Sequence, residues 1–214
     1  KWEKTPNITA LTWRFNSITI MVQKDILEAV SSKQRVKVIS RYIRLAMKLH
    51  DLNNLHSEFA VLSALHSAPI HRLKKTWKMV SKKEIVLFEN ATQLFLPEGN
   101  FKNLRLYLET TKLPCVPFLG LYLTDLVLTD AAFPSYKKMT EDNFIMRDTK
   151  LDKIILSLKK HQESHYPQIC CNLDIQNFLN SIHYEEESRK FLESEFFRLS
   201  LVLEPNKTAK KMSL

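Results

Sequence analysis

An all-α fold is what this sequence predicts, on three observations. The chain of 214 residues holds only two glycines, Gly99 and Gly120, whereas the tight primed turns of a many-stranded sheet lean on glycine. Apolar residues recur at three- and four-residue spacing in several segments, which marks one face of an amphipathic helix. The breaks between those segments are built from Pro, Asn and Ser, residues that suit helix ends and helical turns.

The elements follow in order. Val36, Ile39, Ile43 and Met47 mark the apolar face of one helix. Ser81 to Glu84 has the spacing of a capping box, and Ile85, Phe88, Thr92 and Phe95 continue down the helix it opens. Pro97-Glu98-Gly99-Asn100 breaks that helix, and Asn100 is placed to cap the next, which carries Phe101, Leu104 and Leu108. Pro114-Cys115-Val116-Pro117 is a second break, followed by Phe118 to Leu128, apolar almost all round. Thr129 to Asn143 is polar, contains Pro134 and reads as a loop. Leu151, Ile154, Ile155 and Leu158 mark a further helix, and Ile175, Phe178, Leu179 and Ile182 another. Phe197, Leu199, Leu201 and Leu203 alternate, which predicts a helix end running into an extended tail that stops at Pro205. Residues 206–214 read as a basic, frayed end. No repeat or linker interrupts the chain, so residues 1–205 are expected to form one domain.

Composition narrows the chemistry. Hydrophobic residues make up 44% and charged ones 26%, an ordinary globular balance. A phosphate-cradling loop or a dinucleotide fingerprint needs two or three clustered glycines, and none cluster here. The net charge of +9, from 32 Lys and Arg against 23 Asp and Glu, favours an acidic partner or an anionic membrane, or is a merely solvated surface. No run of Lys and Arg interleaved with aromatics stands out, which argues against nucleic acid. Three cysteines, two of them adjacent, make no extracellular framework and point to a reducing, cytoplasmic setting. No segment approaches the length of a membrane span.

Conventional active sites are not visible. His161, His165, Cys170 and Cys171 lie close in sequence, but adjacent cysteines lack the gap that sulfur ligands use, so no metal is expected. Cys115, between prolines and apolar residues, reads as a buried small hydrophobe rather than a nucleophile. No cofactor is implied. Pro114 to Pro134 and the following helix have the layout of a helical hairpin, whose apolar residues serve either the core or a partner.

Resemblance to a family goes further. Asp51 to Ser57 (DLNNLHS), Ser63 to Trp77 (SALHSAPIHRLKKTW) and Pro114 to Leu126 (PCVPFLGLYLTDL) resemble, in order, three motifs of the catalytic domain of Ras-family guanine nucleotide exchange factors, the RasGEF domain. Arg14-Phe15-Asn16 resembles an earlier motif, and Leu199 to Pro205 resembles the domain's closing LS-xx-EP. The resemblance covers nearly the whole chain. It implies a single bowl-like helical domain with a protruding helical hairpin. It also implies a function: binding a Ras-family small GTPase (Ral, Rap or Ras) and releasing its nucleotide without covalent chemistry.

Carried over by position, the hairpin's first helix runs from about Phe118 to Asp130. The resemblance implies that Phe118 and Thr124 face the GTPase and that Val127 is the apolar residue pushed toward the magnesium site. Asn53 and Phe101 match positions that contact the mobile switch of the GTPase; alternatively, Asn53 caps a helix and Phe101 is core. Leu128 and Ala131 stand among the partner contacts. Where Ras-directed members place a glutamate near the hairpin tip, this chain has Ala131 preceded by Asp130, so either Asp130 substitutes or that element is absent. Leu126 to Ala132 (LVLTDAA) is closer to the Ral-directed branch. The basic stretch that usually opens the second hairpin helix is reduced to Asn143-Phe144 and then Ile145 to Lys150. Trp2 and Pro6-Asn7 resemble the segment after the family's first helix, which is expected to be missing here. The alternative from another class is a RasGEF-fold scaffold without exchange activity; a nucleic-acid-binding helical domain is a distant third. The expected setting is cytoplasmic, with recruitment to the inner face of the plasma membrane and a possible peripheral contact through basic surface.

Overall fold

The computed structural model describes residues 4–133, 138–182 and 185–206, and among them helices are the only extended regular elements, as the glycine count predicts. Eleven α-helices follow one another: α1 (Pro6–Glu28), α2 (Ser32–Asp51), α3 (Leu55–His66), α4 (Ala68–His71), α5 (Lys74–Trp77), α6 (Lys82–Leu94), α7 (Glu98–Thr110), α8 (Leu119–Ala132), α9 (Glu141–Gln162), α10 (Leu173–Ser181) and α11 (Arg189–Leu203). The sole strand-like contact among the described residues is one parallel bridge between Asn54 and Val116.

The core is organised around α3. Eight of its twelve residues are buried, and it packs on both α1 and α2. Ile26, Ile39, Ile43, Leu62 and Leu65 are at most 2% exposed at this junction. Burying side chains of that size contributes about 1.5–3 kcal/mol each before entropy is counted. The stripe read for α2 behaves as predicted, with Ile39 and Ile43 in the core and Val36 and Met47 packed against it.

Several local expectations need correction. The reciprocal capping box sits at Ser31 and Gln34, opening α2. At Ser81 the hydroxyl does accept the Glu84 amide, but the Glu84 carboxylate accepts from the hydroxyls of Ser81 and Ser40 and from Arg44. That ties α6 to α2. Asn100 is not a side-chain cap: Gly99, Asn100 and Phe101 all adopt left-handed φ, at 58°, 56° and 60°. Glycine takes that conformation freely, asparagine tolerates it and phenylalanine rarely does. The stretch read as a loop from Thr129 is helical as far as Ala132, and helix resumes at Glu141. Residues 199–203 are helix, because the leucines alternate through a turn that is held at both ends.

That hold is a clamp between distant motifs. The buried Glu204 carboxylate accepts the backbone amides of Lys75 and Thr76 and the Thr76 hydroxyl, each at 2.8 Å. Arg72 donates to the carbonyls of Ser200 and Glu204 and to Asn206 Oδ1. The RLKKTW and LS-xx-EP segments are therefore two halves of one junction that seats α11 on α4. Residues 207–214, read as a frayed end, lie outside the described residues.

Candidate functional site

The site is built on the approach to α8. Cys115 is buried, as its flanks predict, and burial pushes its thiol up to about 11, well above the range of a reactive thiolate. Val116 donates to the Asn53 carbonyl at 2.9 Å and its own carbonyl accepts from the His56 amide at 3.1 Å. The chain is thereby pinned to the α2–α3 turn, where Asn53 has φ 54°.

Asn53 is spent on that turn. Its Nδ2 donates to the Lys112 carbonyl at 3.1 Å and its Oδ1 accepts from the Tyr107 hydroxyl at 3.0 Å. The helix cap is its neighbour Asn54, whose Oδ1 accepts the Ser57 amide. The Asn53 side chain thus holds the 111–116 segment against α7.

Phe118 sits in an aromatic cluster. Its ring meets Phe59 edge-on at 4.7 Å and lies 5.9 Å from Phe15 and 6.0 Å from Phe101. The structure thus brings together two residues read separately from the sequence, Phe101 and Phe118. Phe101, in its left-handed backbone conformation, places its ring beside Phe118 and Phe59. Gly120 permits this, since a Cβ there would stand 2.3 Å from the Phe118 ring.

His56 is a residue whose role sequence reasoning missed. It is 3% exposed, its Nδ1 accepts the Leu119 amide at the start of α8, and its Nε2 faces the Leu11 carbonyl of α1, both at 3.4 Å. Those partners require the neutral ring with its proton on Nε2, and burial holds its pKa below the ordinary histidine value. The only signal in the sequence was its place in the DLNNLHS motif.

Beyond its first turn, α8 is fastened on two sides. Arg105 of α7 makes a bidentate pair with Asp125, at 2.9 and 2.6 Å. On the α9 side, the Tyr122 hydroxyl meets Ser157 at 3.2 Å and Asp130 meets Arg147 at 2.7 Å. Contacts between 122 and 157 and between 130 and 147 mean that α8 and α9 run antiparallel. Leu121, Tyr122 and Thr129 are the buried residues of α8.

The opposite face is open. Thr124, Val127, Leu128 and Ala131 fall at i, i+3, i+4 and i+7 and are all exposed, Val127 at 67% and Leu128 at 52%. Four of the residues read from resemblance therefore form one stripe. The Thr124 hydroxyl bonds back to the Gly120 carbonyl at 2.8 Å. Asp130 lies off this stripe, held by Arg147. Among the described residues no group of His, Cys, Asp and Glu is arranged to hold a metal ion.

The family model for the RasGEF domain matches residues 1–152. The chain belongs to the RasGEF family. Among curated proteins it is 41% identical to the human Ras-specific guanine nucleotide-releasing factor RalGPS2, over 96% of this chain and 35% of that protein. It is 36% identical to the RalGPS1 factor of Mus musculus, over 99% of this chain and 36% of the relative. Ras guanine nucleotide exchange factor C of Dictyostelium discoideum is 34% identical over 90% of this chain and 13% of its own length. The chain thus spans about a third of the length of the RalGPS relatives. No helix among the described residues of this RasGEF domain is long and apolar enough to cross a membrane.

Proposed function

We propose that this RasGEF domain releases GDP from a Ras-family small GTPase, Ral first, then Rap or Ras, by pressing α8 into the nucleotide site. The observation that carries this reading is the exposed stripe of Thr124, Val127, Leu128 and Ala131 on a helix fastened along its other faces. Exposed valine and leucine side by side on such a helix suit a partner surface. The choice of Ral rests on the LVLTDAA sequence and on the RalGPS names of the relatives.

The physics is negative coupling between two ligands of the GTPase. A factor that binds the nucleotide-free form best weakens nucleotide by the same factor by which nucleotide weakens it. A nucleotide held at about picomolar affinity represents about 16 kcal/mol. An extended contact must therefore contribute, with Phe101 and Phe118 joining the α8 stripe. Val127 near the magnesium position offers the cation no ligand and excludes water, which penalises the bound metal. No bond is made or broken. The setting is cytoplasmic, at the inner face of the plasma membrane.

A scaffold without exchange activity is the second reading. What favours it is that Asp130, the one carboxylate near the end of α8, is engaged by Arg147. Release of fluorescent GDP from Ral, Rap and Ras separates the two. Acceleration of Ral above the others supports the proposal. Complex formation with no acceleration of any GTPase favours the scaffold.

A further inference from the structure

The strongest unexplained surface feature lies on α5 and the start of α6. From Phe59 to Lys83 the sequence contains no Asp or Glu, while Arg72, Lys74, Lys75, Lys78, Lys82 and Lys83 crowd its second half. All five lysines are exposed. Leu73, Thr76 and Val80 turn inward and fix the backbone that carries them. Lys37, one turn before Ser40 and Arg41 on α2, extends the same face, because Ser40 and Arg44 both reach Glu84 at the start of α6.

Several cations elsewhere stand beside an acid within one turn, as in Lys24–Glu28, Lys48–Asp51, Lys159–Glu163 and Arg189–Glu193. What sets this face apart is density: Arg72, Lys74, Lys75, Lys78, Lys82 and Lys83 fall in one stretch with no acid among them. None of Lys37, Lys75, Lys78, Lys82 and Lys83 has an ion-pair partner among the described residues. The two acids nearby are already engaged. Glu84 is held by Ser40, Ser81 and Arg44, and Glu204 is buried on the amides of Lys75 and Thr76, beside Arg72. A cluster of unneutralised like charges raises the local potential and must meet an anionic surface to gain from it.

We propose that this face docks on an anionic lipid bilayer. Several features select a bilayer over nucleic acid. The exposed cations of residues 72–83 are lysines, compact point charges suited to a diffuse anionic surface, while the single arginine, Arg72, is engaged by Ser200, Glu204 and Asn206 and cannot fork onto phosphates or bases. Trp77, the one aromatic among them, is unavailable for base stacking, since its Nε1 donates to the Ile70 carbonyl and its ring stacks on Phe88. Met79, 48% exposed between Lys78 and Lys82, supplies an apolar side chain at the level of the lysine stems. None of these residues belongs to the α8 site, so the inference stands independently of the exchange reading.

The test is co-sedimentation of the chain with phosphatidylcholine vesicles, with and without phosphatidylserine. Two variants of equal net charge go alongside: K75Q/K78Q/K82Q/K83Q on the face, and K24Q/K48Q/K153Q/K159Q scattered elsewhere. Each lysine near an anionic surface is worth about fivefold in partitioning. The face variant should therefore lose more than about a hundredfold, and the scattered variant a few fold. Binding should require phosphatidylserine and fall steeply between about 0.1 and about 0.5 M salt. Equal losses in both variants, binding to pure phosphatidylcholine, no sedimentation at all, or tighter binding to a mixed-sequence DNA duplex at the same salt would each overturn the proposal. Thermal melts confirm that both variants remain folded, which the exposure of all eight side chains predicts.

Discussion

Gly120 illustrates how a single residue sets the site. The Phe118 ring occupies the space a Cβ would take and is held from three sides by Phe15, Phe59 and Phe101. Gly120→Ala must displace that ring, and overpacking of this kind costs about 1–3 kcal/mol. We expect a melting temperature lower by about 2–4 °C per kcal/mol and slower GDP release, read in the same preparation. The His50–Glu58 pair makes stability depend on pH. Glu58 is fully buried; burial pushes its carboxyl up, and the bond from His50 draws it partly back. That same bond, opposed by partial burial, raises His50 above its ordinary value of 6.5. A raised folded-state value gives stability that is fully present below about pH 6.5 and lost as the pH climbs through the folded value. His56, His66 and His161 are held low by burial and act in the opposite sense, but they are common to wild type and variant. His50→Gln should therefore cost more stability at about pH 6 than at about pH 8.5, by denaturant titration at the two values. The pairing of His50 with Glu58 was not legible beforehand. An acid inside an apolar helix reveals its partner only when the turn between α2 and α3 folds back.

At the scale of elements, α8 was the most legible. Its start and apolar character followed from PCVPFLG and the run to Leu128, whereas the single exposed face shared by Thr124, Val127, Leu128 and Ala131 emerged only in the structure. The apolar pattern alone stopped at Leu128, because polar Thr129 and Asp130 look like loop, although Thr129 is buried and Asp130 is held by α9; the resemblance carried the helix to about Asp130, close to its observed end at Ala132. The left-handed turn at Phe101 was invisible, since phenylalanine rarely adopts positive φ and no local signal in the sequence announces it. What fixes α8 against α7 is the Arg105–Asp125 pair, partly exposed at 33% and 21%. Bidentate geometry makes it better than a typical surface pair, yet solvent keeps it to about 1 kcal/mol. A double-mutant cycle with Arg105→Gln and Asp125→Asn should return a coupling of that size in stability. Exchange should fall in each single variant with helix content unchanged by circular dichroism. Full activity in both would mean that α8 does not need α7 to hold its position.

For the molecule as a whole, the clamp of Arg72 and Glu204 joins residues more than a hundred positions apart. Three hydrogen bonds to a buried carboxylate make Glu204→Ala worth about 3 kcal/mol, a fall in melting temperature of about 6–12 °C by calorimetry. A change below about 1 °C would show that α11 docks without it. Both motifs were present in the sequence as family resemblance, but their mutual contact was hidden because the tail was expected to be extended. The helical architecture itself was readable from two glycines and the apolar spacing, since those features act locally. Long-range closure was not. Whether α8 presents Val127 to the nucleotide site is read from GDP release from Ral by wild type and Val127→Glu. Because Val127 is 67% exposed, the variant should melt as wild type does while its acceleration of release disappears. Retention of wild-type acceleration by a folded Val127→Glu protein would show that Val127 does not act at the nucleotide site.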